Sequence, residues 1–106
     1  PYIDGKAPKR VRKMKILYVD GDLVLFWKAP KGKGWKNEAS KYVVYRFDDG
    51  EDIDISNPEK IVAVTPDMFY KIPDNSVRPG EKVYYVVTAL DRLSNESKPR
   101  KKSFKY

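Results

Sequence analysis

Five carboxylates crowd one stretch of seven residues: Asp48, Asp49, Glu51, Asp52 and Asp54. Oxygen ligands at such spacing could take up calcium, and paired carboxylates are the machinery of glycoside hydrolysis. A calcium loop, however, needs a longer ligand register closed by a bidentate Glu, and that register is missing. Glycoside chemistry needs two carboxyl groups facing one another across a cleft, which a single turn does not supply. The stretch reads as a solvated acidic turn. The 106 residues contain no histidine and no cysteine. That removes the commonest general base, the commonest metal ligands, disulfides and every Ser-His or Cys-His nucleophile. No catalytic residue, metal site or cofactor site is expected in this chain.

Cations outnumber carboxylates, 22 Lys and Arg against 15 Asp and Glu, for a formal net charge of +7. They gather at the two ends. Lys6, Lys9, Arg10, Arg12, Lys13 and Lys15 precede or enter the first alternating run, and Lys98, Arg100, Lys101, Lys102 and Lys105 enter the last. Arg10, Arg12, Lys13, Lys15, Arg100, Lys101 and Lys102 are therefore candidate interface residues. Such charge suits an acidic protein surface, an anionic polysaccharide or nucleic acid. Nucleic acid fits least, because few aromatic rings interleave the cations for base stacking. Lysines on a sheet edge also deter strand addition by other chains, and these alternate with Met14, Ile16, Ser103 and Phe104.

Trp35 stands in a Gly- and Lys-rich loop from Lys31 to Lys36. An indole there can fold over the end of the domain, anchor a domain interface, or stack on sugar rings. Outward-facing Tyr45, Phe47 or Tyr84 would extend such a patch.

The elements that must carry these residues are strands. Leu23, Leu25 and Trp27 alternate with Val24, Phe26 and Lys28, the period of a strand with one strongly apolar face. Val11–Val19 precedes it across the Asp20-Gly21-Asp22 turn. Tyr42–Phe47 is β-branched and aromatic and leaves open whether Val44 or Tyr45 points inward. It ends at Asp48-Asp49-Gly50. Ser56-Asn57-Pro58-Glu59 reads as a capped helical turn. Ile61–Thr65 and Phe69–Ile72 are short strands closed by Pro66 and Pro73. Pro79-Gly80 turns the chain into Glu81–Leu90, where Val83, Tyr85, Val87 and Ala89 share a face. Asp91–Ser97 reads as a polar hairpin loop, and Pro99–Tyr106 as the last strand.

Seven short strands with frequent turn signals and no sustained helical stripe predict an all-β, antiparallel sandwich. Residues 1–10 are expected to form a linker or flexible segment, and residues 11–106 one domain of a size that buries a modest core. The predicted core is Leu23, Leu25, Trp27, Tyr42, Val44, Val83, Tyr85, Val87 and Ala89. No apolar run approaches a membrane span. The start at Pro1 rather than Met suggests a fragment of a longer precursor.

In order and spacing these motifs resemble fibronectin type III domains. Leu23-x-Leu25-x-Trp27-x-Ala29-Pro30 is similar to their second strand, Tyr42-x-Val44 to their third, and Val77-x-Pro79-Gly80 with Val83-x-Tyr85-x-Val87-x-Ala89 to their sixth. The resemblance implies a seven-stranded, immunoglobulin-like sandwich in which Trp27 is the central core residue. It also implies that the first and last strands lie together, merging their cations into one basic seam. The family's tyrosine corner would fall at position 83, where Val83 stands, so that bond is expected to be absent.

A narrower likeness joins Tyr42–Phe47, Gly50–Ile55, Pro58–Ala63 and Val86–Ser97. These segments resemble the C-terminal domain of bacterial glycosyl-hydrolase-like family ten lipoproteins, common in Bacteroidetes. Such proteins pair a TIM-barrel-like glycosidase-related domain with a fibronectin type III-like one. The resemblance implies a non-catalytic accessory module, monomeric in isolation, that supports the preceding catalytic domain of a cell-envelope or extracellular lipoprotein. Two other readings are a carbohydrate-binding module that uses Trp35 on polysaccharide, and a protein-binding adhesion module.

Overall fold

A computed structural model describes residues 8–30 and 39–105. Trp35 and Lys6 lie outside the described residues, as do residues 1–7 of the expected linker. Seven strands form: β1 (Arg12–Val19), β2 (Asp22–Lys28), β3 (Lys41–Asp48), β4 (Ile61–Thr65), β5 (Phe69–Lys71), β6 (Lys82–Leu90) and β7 (Arg100–Lys105). They pair antiparallel in two sheets, a three-stranded one ordered β1-β2-β5 and a four-stranded one ordered β4-β3-β6-β7.

The turns follow from residue type. Asp20 and Gly21 connect β1 to β2 with φ of 50° and 85°. Positive φ at both central residues is the type I′ geometry whose twist matches flanking strands. At Arg78–Glu81 the Glu81 amide donates to the Arg78 carbonyl at 2.9 Å. Pro79 sets the first corner and Gly80, at φ 82°, takes the second, a type II turn. Asn57 caps the one-turn 3₁₀ helix Pro58–Lys60 by accepting from the Glu59 amide.

Between the sheets lies one apolar cluster. Leu25, Trp27, Tyr42, Val44, Val83, Tyr85, Val87 and Ala89 all sit in it, joined by Val11, Met14, Ile72 and Val77. Trp27 meets Tyr42 edge-on, ring centroids 5.5 Å apart, which links the two sheets through their aromatic quadrupoles. Leu23 departs from expectation: it is only half-buried at the margin of the cluster, because it lies near the open end beside the β1–β2 turn.

The central strands of the four-stranded sheet, β3 and β6, are buried on both faces. Val44 points into the sandwich, while Val43, Tyr45, Phe47 and Val86 form a second cluster outside it, covered by Ile53 and Ile55. Tyr45 and Phe47 therefore do not extend an exposed aromatic patch. Val83 occupies the corner position and is fully buried.

Asp91–Ser97 is more ordered than a polar loop. Asp91 and Ser97 are buried. The Asp91 carboxylate accepts from the Leu93 and Asn95 amides at 2.8 and 2.9 Å and from Asn95 Nδ2 at 3.0 Å. Ser97 Oγ accepts from the Ala89 amide at 2.9 Å, extending the bonding along β6 past the start of β7.

Candidate functional site

The cations gather where two sheet edges meet. β1 ends the three-stranded sheet and β7 the four-stranded one, and the two edges run beside one another. Register fixes which side of β7 each cation takes. Arg100, Lys102 and Phe104 oppose Val87, Tyr85 and Val83, so they share the core-facing side of β7, whereas Lys101 opposes Val86 on the outer side. On β1 a register shift between Arg12 and Lys15, with Lys13 at φ 52°, displaces the strand locally.

Two arginines are pinned by backbone. Arg100 Nε donates to the Val11 carbonyl at 2.7 Å, and Arg12 Nε to the Ala29 carbonyl at 2.8 Å. Each guanidinium is thereby held in place by one of its five donors. Between them opens a cleft of about 590 Å³, lined by Pro8, Lys9, Arg10, Arg12, Glu96, Lys98 and Arg100. Glu96 anchors its floor, accepting from Thr88 Oγ1 at 2.5 Å and from the Tyr45 hydroxyl. Burial and the neighbouring Glu96 carboxylate push the Tyr45 phenol well above its ordinary range, so it stays a proton donor.

The expected single seam is thus divided. Arg10, Arg12 and Arg100 meet in the cleft with Lys9 and Lys98, while Lys13, Lys15, Lys101 and Lys102 are exposed and line no part of it. The sequence offered no sign of Glu96 as a cleft residue. Its role depends on Tyr45 pointing away from the sandwich, which alternation could not decide.

The acidic stretch is spent on local turns. Glu51 accepts from the Asp48 amide at 2.7 Å and pairs with Lys60, and that ammonium together with the amide holds its carboxyl below the usual range. Asp54 accepts from the Ser56 hydroxyl and amide at 2.6 and 2.9 Å, with the same consequence. Among the described residues, no group of three or more His, Cys, Asp or Glu side chains is arranged to hold a metal ion. No helix among them is long and apolar enough to cross a membrane.

Comparison with solved structures agrees with this architecture. The structure titled FN3tt mut superposes with a TM-score of 0.68 at 19% identity, covering 94% of this chain and 97% of that one. The fold is a fibronectin type III-like sandwich. The same arrangement occurs in larger proteins: the Clostridium perfringens spore cortex lytic enzyme SleM superposes with a TM-score of 0.67 at 12% identity, covering 94% of this chain and 29% of that one. No protein-family model matches the chain. A curated protein, the glycosyl hydrolase YngK of Bacillus subtilis (strain 168), is 28% identical over 109 residues. The match takes in 99% of this chain and 20% of that protein, so the chain spans only a fifth of its relative.

Proposed function

We propose that this sandwich is a non-catalytic accessory module of a larger glycoside hydrolase-like protein, supporting or positioning the catalytic domain. One observation carries the reading. Nearly the whole chain, 99%, matches one fifth of a glycosyl hydrolase, the proportion of a module within a longer enzyme. The chemistry agrees, because function resides in sites rather than folds and the chain has neither histidine nor cysteine. Its acidic residues are held in solvated turns rather than opposed across a cleft. The finer attribution, the C-terminal domain of a bacterial envelope lipoprotein of the glycosyl-hydrolase-like family ten kind, is part of the same proposal, as is its extracellular or cell-envelope location.

A second reading has its own observation. The two backbone-pinned arginines flank a cleft rich in cations, an arrangement suited to the carboxylates or sulfates of an anionic polysaccharide.

The test compares three proteins: the complete gene product, the same product lacking this module, and the isolated chain. Glycoside hydrolysis is expected from the first, reduced but present in the second, and absent from the third. Hydrolysis by the isolated chain, or a gene product with no further domain, refutes the proposal.

A further inference from the structure

The two sheets differ in how their outer faces are finished. On the four-stranded sheet the chain covers its own apolar cluster with Ile53 and Ile55. Among the described residues nothing comparable covers the three-stranded sheet. Its register sets Leu17, Val24 and Lys71 in one row and Lys15, Phe26 and Phe69 in the next, so all six share the outer face. Leu17 is 50% and Phe69 49% exposed, and Val24 is buried beneath them. Phe26 leans on Phe69 with ring centroids 6.5 Å apart. The next residue of that face along β2 is Lys28, so lysines bound the apolar strip on three sides.

An apolar centre within a charged rim is the anatomy of a protein–protein contact rather than of a free surface. We propose that this face seats the remainder of the longer polypeptide, through a patch with an apolar centre and a rim of Asp and Glu. The inference rests on the accessory reading above and adds the surface and the chemistry of the contact.

Three observations select this occupant. Of Lys15, Lys28 and Lys71, only Lys71 has a carboxylate partner among the described residues, Asp22 at 3.5 Å, so complementarity calls for carboxylates from outside. The rings of Phe26 and Phe69 are inclined by 43°, which gives a sugar chain no flat platform. A second copy of this chain would offer Lys15, Lys28 and Lys71 just one carboxylate on the same face, Asp22, which Lys71 already engages, so its charges complement this rim poorly. Material for the contact is ample, because the chain accounts for 20% of the glycosyl hydrolase it matches.

Amide exchange in the complete gene product, compared with the isolated chain, is expected to slow by about tenfold or more along β1 and β5, the equivalent of ~1.4 kcal/mol of added protection. Leu17→Glu with Phe69→Glu is expected to leave the isolated chain folded, since both side chains are half exposed, and to abolish that slowing. Slowing confined to residues 96–100, with the module still stabilising the remainder, overturns this face and leaves the accessory reading standing. Absence of any stabilisation of the remainder takes down both. A dimer of the isolated chain that Leu17→Glu dissolves, seen by light scattering, assigns the face to a second copy and overturns the proposal.

Discussion

Arg100 stitches the two sheets together at their edges, its Nε donating at 2.7 Å to the carbonyl of Val11, which is fully buried. A side chain from β7 thus satisfies a backbone acceptor that enters β1. Arg100→Ala leaves that acceptor without its partner and is expected to cost about 1–3 kcal/mol in urea denaturation. A loss of less than ~0.3 kcal/mol would show that water replaces the guanidinium freely.

Trp27 is 3% exposed and its indole nitrogen has no hydrogen-bond partner among the described residues. The side chain fills the core and meets the Tyr42 ring edge-on. Trp27→Ala should destabilise by roughly 3–5 kcal/mol, a large share of a small domain's total. Trp27→Phe keeps an aromatic edge on Tyr42 and should cost clearly less. Equal costs for the two, measured by thermal unfolding, would show that an aromatic edge on Tyr42 recovers none of the loss.

Asp91 gives the chain an acid-sensitive joint. Burial opposes ionisation, but the Asn95 amide, its side chain and the Leu93 amide outweigh it and hold the carboxyl below its usual value. A depressed native value stabilises the fold above the unfolded value of about 3.9, and that contribution fades as pH falls through the native one. Asp91→Ala is expected to destabilise by about 1–3 kcal/mol at neutral pH. The gap between the two proteins should close on acidification below the unfolded value. A gap independent of pH would mean that the carboxylate charge plays no part.

Calcium provides a further check. Glu51 and Asp54 are committed to turn amides, Lys60 and Ser56. Millimolar calcium should leave the thermal midpoint where it is in chelator. A rise on addition that Asp49→Asn with Asp52→Asn removes would assign a calcium site to this turn.

How much of this was legible depended on how far the residue types on the two faces of each strand differ. Along β2 and β6 the alternation of Leu25, Trp27, Val83, Tyr85, Val87 and Ala89 points to the side on which they are found. Along β3 it fails, because Val44 and Tyr45 are both buried, one between the sheets and one beneath Ile53 and Ile55. Both rows of β3 carry large apolar side chains, so residue type does not choose between them, whereas the outer row of β6 includes Lys82 and Thr88 and leaves its inner row recognisable. Leu23 follows the period yet sits only half-buried, since position along the strand matters as well as face. The cleft was half legible. Charge drew attention to Arg10, Arg12 and Arg100, but the carbonyls of Val11 and Ala29 that pin two of them leave no trace in residue type. The register shift in β1 that separates Lys13 and Lys15 from the cleft is likewise silent in sequence.

Calorimetry of the complete gene product, with and without this module, addresses the central claim most directly. Docking of an accessory sandwich stabilises the domain it binds, so removal should shift the unfolding of the remainder to lower temperature by several degrees. Superposable transitions in the two proteins would contradict it.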